Sequence, residues 1–272
     1  MRSTQRGREV FRANEPCKIP GMSRGTVHSR IDDGVAVLTV SHPERRNAMN
    51  LELSRRLADA VTAAVADETV GAIVITGEPP AFCAGGDLSE LANADATVLR
   101  GVYSGFLAVA ASPLPTIAAV NGAAVGAGLN LALAADLRLA SPNARFDTRF
   151  LSLGIHPGGG YTWMAQRALG PQAAVAMTLF GEVVDAREAE RIGLVYRVVD
   201  DVVDAAIQMA RRAAEQPRDL LIATKTTMRL TAGLDAQADA VDIEVRAQAE
   251  STRSEAFRER LAALQARISS RS

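Results

Sequence analysis

Two hydrophobic regimes follow one another along this chain. Up to about residue 199, short apolar runs alternate with helical periods and small-residue turns, and beyond it the pattern is almost wholly helical. Residues 35–40 (VAVLTV), after Asp33-Gly34, read as a strand. Residues 72–76 (AIVIT) read as a buried strand ended by Gly77 and Pro79-Pro80, and 116–120 (TIAAV) and 137–140 as a third and a fourth. Leu53, Leu57, Ala60, Val61, Ala64 and Val65 recur at three and four, which predicts a helix capped by Asn50. Asp87, with Glu90 three residues on, predicts a capping box at a short helix. Further helices are expected over 97–111 and 127–135, with loops left at 77–87 and 121–128. This recurring strand–helix–strand unit predicts an α/β fold with sequential, roughly parallel strands. After 196–199 (YRVV), helices are expected over 200–215, closed by Pro217, and over 220–230, 236–250 and 253–267. Their mixed faces suit packing on the core or on another subunit.

Composition narrows the functional classes. The 272 residues are 48% hydrophobic, enough for one large core. With 30 Lys and Arg against 31 Asp and Glu, no global field marks the chain for nucleic acid or an anionic membrane. No apolar run reaches the length of a membrane span, since the best stretch, 116–135, is broken by Asn121, Gly122, Gly126, Gly128 and Asn130. Cys17 and Cys83 lie far apart, so no disulfide is expected and a reducing cytoplasm fits. His28, His42 and His156 have no zinc-ligand spacing, and no metal is expected. The first 26 residues carry Arg2, Arg6, Arg8, Arg12, Lys18 and Arg24 against Glu9 and Glu15. They read as a disordered tail, as a targeting peptide, or as an overlong start with the true one near Met22.

Two glycine-bearing turns each follow a strand and open a helix: 82–87 (FCAGGD) and 121–128 (NGAAVGAG). Small residues let a backbone approach a ligand, and the free N–H groups of a first helical turn bind anions. Two such turns converging can hold one developing oxyanion, whereas either alone reads equally as tight packing. The dinucleotide fingerprint, the P-loop and the nucleophile elbow are all absent from the spelling.

In combination with their neighbours these turns carry a resemblance. His42-Pro43-Glu44-Arg45-Arg46-Asn47-Ala48-Met49-Asn50 resembles the first loop of the crotonase superfamily, the enoyl-CoA hydratase/isomerase family. Ala81-Phe82-Cys83-Ala84-Gly85-Gly86-Asp87-Leu88 resembles its second loop, 119–138 its third and Leu153-Gly154-Ile155-His156-Pro157-Gly158-Gly159-Gly160 its fourth. Segment 184–195 resembles its later helix, and the match covers about residues 27 to 272.

The resemblance implies a right-handed ββα spiral core over 27–215 and a helical C-terminal oligomerisation region over 216–272, in a homotrimer or a dimer of trimers. It implies an acyl-CoA or enoyl-CoA ligand, which enters as substrate, and no separate cofactor. Carried residue by residue, the oxyanion donors are the backbone N–H groups of Gly86 and Ala127. Arg45, Arg46, Ala48, Asp87 and Leu88 fall in the loops that meet coenzyme A, and arginine suits its phosphates. Arg45 and Arg46 also read as a solvated turn.

The chain departs from a typical hydratase at the proton-handling positions. The two usual glutamates fall on Asn130 and Phe150, and a family isomerase carboxylate falls on Gly158. Asn130 can orient a water or a carbonyl but cannot exchange a proton, and Phe150 can only shape an apolar wall. His156 is a candidate acid/base or a structural histidine. Asp147 and Arg149 read as a functional pair or as an exposed one. Tyr161 reads as packing or capping, Trp163 as core or acyl-tunnel wall, and Cys83 as packing. The functional expectation is an enzyme working through an acyl-CoA enolate, by hydration, dehydration, isomerisation or C–C cleavage. A non-catalytic acyl-CoA-binding protein is the alternative.

Overall fold

The computed structural model describes residues 25–92 and 94–270. Of the expected N-terminal tail only Gly25 and Thr26 belong to them, Thr26 as the first residue of a strand, and Cys17 lies outside. The main sheet contains β1 (Thr26–Asp32), β2 (Val35–Ser41), β3 (Ala72–Gly77), β5 (Thr116–Val120), β7 (Leu137–Ala140) and β10 (Arg197–Val198), hydrogen-bonded in that order. A second sheet contains β4 (Ala81–Cys83), β6 (Ala123–Val125), β8 (Arg145–Asp147) and β9 (Val184–Asp185), also in order.

The helices are α1 (Leu51–Ala66), α2 (Leu88–Leu91), α3 (Ala96–Ala111), α4 (Ala127–Ala134), α5 (Tyr161–Leu179), α6 (Ala186–Arg191), α7 (Val202–Ala214), α8 (Arg218–Thr231), α9 (Gln237–Ser251) and α10 (Glu255–Ser269). Each turn of chain lays one strand in the main sheet, one short strand in the second sheet, then a helix: β3-β4-α3, β5-β6-α4, β7-β8-α5. Because β3, β5 and β7 pair in parallel, as do β4, β6 and β8, the turns stack into a ββα spiral.

Period-two alternation divides the main sheet between two cores. Ala36, Leu38, Ile73, Ile75, Ala118 and Val120 face α1, α3 and α4. Val35, Val37, Ala72, Val74, Ile117 and Ala119 face Val202, Ala206, Ile207 and Ala210 of α7. Covered on both faces, β3 and β5 are buried throughout, which is why they read as unbroken apolar runs.

Several expectations are corrected. β1 pairs antiparallel with β2, so the sheet is not wholly parallel. The supposed loops at 77–87 and 121–128 contain β4 and β6. Three-residue strands show no periodicity and form only where a neighbouring turn offers a partner. Asp87 caps α2 through Ser89 N–H at 2.9 Å, but Glu90 does not close the capping box. Its carboxylate accepts from Leu51 N–H at 2.8 Å and so caps α1, an end that is closer in space than in sequence. Pro217 stands at the N-cap of α8 rather than at the end of α7. Trp163 is 60% exposed under the Arg167 guanidinium, and belongs neither to the core nor to the cavity described below.

The C-terminal helices are tied to the spiral by polar contacts. Lys225 on α8 is buried, donates to Leu114 O at 2.6 Å and pairs with Asp136. Arg260 on α10 donates to Gln216 Oε1 at 2.6 Å. Yet Met228, Leu230, Val241, Val245, Leu264 and Ile268 stay exposed. No helix among the described residues is long and apolar enough to cross a membrane.

Candidate active site

Asparagine amides bring the turns of the spiral together. Asn47 is fully buried, and its Nδ2 donates to Glu78 O at 2.7 Å and Ala81 O at 2.8 Å while its Oδ1 accepts from His42 N–H. Asn121 Nδ2 donates to Gly77 O at 2.8 Å from the next turn. The first loop then zips to the second: Ala84 N–H donates to Arg46 O at 3.0 Å, Met49 N–H to Gly85 O at 2.7 Å and Asp87 N–H to Met49 O at 2.8 Å.

That zip decides where the Gly86 amide points. Met49 pairs with Gly86 through the flanking Gly85 and Asp87, so Gly86 turns its own N–H and C=O to the other side. Ala127 opens α4, where no intrahelical partner exists for the first N–H groups. Gly126 before it has φ 50° and ψ −112°, and Gly85 before Gly86 has φ 116°, both backbone conformations that only glycine adopts easily. Among the described residues neither the Gly86 nor the Ala127 N–H has an acceptor, and both residues line one cavity of about 460 Å³.

Of the residues expected to meet coenzyme A, Leu88 alone is among the lining residues of this cavity. It is largely exposed. Asp87 is buried, and the Ser89 hydroxyl, with Arg45 contributing more weakly, holds its carboxyl below the ordinary value. Arg45 and Arg46 are exposed on the adjoining loop and Ala48 is half-buried. The backbone bonds from Ala84 to Arg46 and from Asp87 to Met49 bring these two loops side by side.

Further lining comes from 148–158 and from α3 and α4. Asn130 is buried at 1% exposure, and its Nδ2 donates to Gly158 O at 2.9 Å, so its donor holds the fourth loop. Its Oδ1 is buried with no partner among the described residues. The Phe150 ring packs on Tyr161 at 5.4 Å and forms the apolar wall the sequence suggests. His156 lines the cavity but is exposed, with Nδ1 2.7 Å from Pro157 O. Arg149, at φ 53°, lines the cavity and pairs with the buried Asp147. Burial pushes the Cys83 thiol up to about 11, so it stays protonated as packing.

Sequence reading passed over Tyr103. Leu99, Val102, Tyr103 and Phe106 follow helical spacing on α3, and the first three line the cavity. A tyrosine on that inward stripe was the available signal. No carboxylate occurs among the described lining residues.

Comparisons with known proteins give the family of this chain. The family model described as enoyl-CoA hydratase/isomerase matches residues 30–267. A probable enoyl-CoA hydratase of Mycobacterium tuberculosis is 51% identical over 247 residues, covering 87% of this chain and 96% of that one. The 1,2-epoxyphenylacetyl-CoA isomerase of Escherichia coli is 36% identical over 200 residues, covering 70% and 76%. The crystal structure of an enoyl-CoA hydratase from Polaromonas sp. superposes with a TM-score of 0.83 at 30% identity, covering 89% of this chain and 98% of that one.

Proposed function

The chain belongs to the enoyl-CoA hydratase/isomerase family, and we propose that it binds an acyl-CoA thioester and stabilises its enolate between the N–H groups of Gly86 and Ala127. The reading is of an enzyme, a lyase of the enoyl-CoA hydratase type. The observation that carries it is the pair of acceptor-free amides on two turns that open on one cavity. An enolate concentrates negative charge on the thioester oxygen, and fixed amides in a largely apolar cavity stabilise it without reorganising. One such donor is worth about 3–4 kcal/mol. Ala127 adds the positive end of the α4 macrodipole.

Coenzyme A lies along the rim formed by Arg45, Arg46, Ala48, Asp87 and Leu88, with the arginines toward its phosphates. The exposed apolar residues of α8, α9 and α10 support subunit contacts in a homotrimer or a dimer of trimers. Cysteine usage supports a cytoplasmic location.

A panel of enoyl-, hydroxyacyl- and dicarboxyl-CoA thioesters, read by mass spectrometry, tests the reading. A product shifted by one water is expected from a short enoyl-CoA. The carboxylate-free lining favours one competing reading, a non-catalytic acyl-CoA binder, and binding of every thioester with no product would establish it. Absence of binding to any thioester would remove both.

A further inference from the structure

The carboxylate positions of the family are filled here in three different ways. At 130 an amide holds the fourth loop through Gly158 O. At 150 a ring packs on Tyr161. At 158 there is no side chain, because another residue takes its room. A Cβ on Gly158 would lie 2.3 Å from the Tyr103 hydroxyl oxygen and 3.2 Å from the ring carbon that bears it. The tyrosine hydroxyl, delivered from α3, therefore stands where a side chain at 158 would begin.

Its setting suits a proton carrier. The Tyr103 ring is held against Phe106 at 5.5 Å, and its hydroxyl has no hydrogen-bond partner among the described residues. Tyr103 shares the cavity with Gly86 and Ala127. Other titratable groups at the cavity are His156 and Arg149, the latter paired with Asp147. Of the helices packed on α3, α4 brings the uncharged Asn130, and α1 carries the Glu52–Arg56 pair, Arg55 and Asp59. Burial raises the phenol above its ordinary value, so the group is protonated at neutral pH.

Resting on the enolate reading above, we propose that Tyr103 is a catalytic residue that delivers the proton to the enolate carbon. In that step the phenolic O–H bond breaks. The electron pair of the enolate C=C bond forms the new C–H bond. The thioester carbonyl reforms as its oxygen gives up the charge held by the two amides. The phenolate regains a proton from solvent water at the cavity mouth. An enolate carbon is a far stronger base than a phenolate, so the transfer runs downhill even from a weakly acidic phenol.

The test is hydrogen–deuterium exchange at the α-carbon of a saturated acyl-CoA, followed by NMR in D₂O. Butyryl-, octanoyl- and palmitoyl-CoA serve as probes, each first titrated by calorimetry. Exchange uses the same proton transfer in reverse, so it needs the phenolate. The protein-catalysed rate, corrected for buffer, is expected to climb without a plateau toward the tyrosine range, whose unperturbed value is about 10. Tyr103→Phe, which keeps the ring, should bind the same thioester with unchanged affinity and exchange it roughly 10²-fold or more slowly. Undiminished exchange in Tyr103→Phe overturns the assignment. So does a wild-type profile that levels off near the histidine range of about 6.5, which would place the proton on His156. A bound thioester that does not exchange also overturns it and leaves the binding reading intact. Failure of all three thioesters to bind overturns the enolate reading itself.

Discussion

The two walls of the cavity are built from different materials. One is backbone: the Gly86 and Ala127 amides, aimed by the Met49 bridge and by the start of α4. The other is side chains: Asn130, Phe150 and Tyr103, from three separate elements. A backbone donor survives substitution of its own residue. Ala127 stands where glycine is common in the family and loses nothing as a donor. A side-chain acid has no such protection, and by the family resemblance all three carboxylate positions differ here. Electrostatic stabilisation and proton transfer can therefore drift apart within one pocket.

The sharpest way to break this contrast is to remove a donor from the backbone wall. Ala127→Pro deletes one N–H at the first residue of α4, where proline fits a helix. Turnover should fall by about 10²–10³-fold, with the helical circular dichroism unchanged. Retained turnover with an intact fold would show that the amide takes no part.

On the side-chain wall, Asn130→Ala removes the bond to Gly158 O. It should cost about 1–3 kcal/mol in urea unfolding and loosen the fourth loop toward hydrogen exchange. The unpartnered Oδ1 lowers that cost, because its desolvation penalty disappears with it.

Asp87 sharpens the comparison from the rim. Its carboxyl titrates lower when folded, so its contribution is full above the unfolded value of about 3.9 and fades as pH falls through the folded value. Asp87→Ala should cost about 1 kcal/mol at neutral pH, as loss of a helix cap does, and less at pH about 3. Urea midpoints at the two pH values measure it.

The smallest effect is expected for His156→Gln. If the proton travels on Tyr103, turnover should change far less than the roughly 10²-fold loss expected on removing an acid–base group. A loss of that size would move the proton-transfer role to the fourth loop.

The backbone wall was legible in the sequence because it is spelled locally. Small residues at 84–86 and 126–128 announce close approach whatever packs nearby, and Asn50 announces its helix. Four strands of the main sheet, β2, β3, β5 and β7, were legible from their apolar residues, whereas the half-exposed β1 was not. What escaped was set by contacts between distant residues. Glu90 caps α1 across 39 positions, and β4, β6 and β8 exist because each turn of the spiral offers the next a partner. Tyr103 escaped because no motif in α3 signals a role that depends on a glycine far along the chain.

The approach of Tyr103 to Gly158 also constrains ancestry. At 2.3 Å, the phenolic oxygen and a Cβ at 158 cannot coexist unless the tyrosine side chain swings away from its place. A lineage that gained an acidic side chain at 158 would turn this tyrosine out of its present place, and one that gained the tyrosine in this place would crowd the acid. Among living relatives, a tyrosine at the position of Tyr103 should be placed as it is here only where glycine stands at the position of Gly158, and an aspartate or glutamate there should go with a tyrosine turned aside or with another residue.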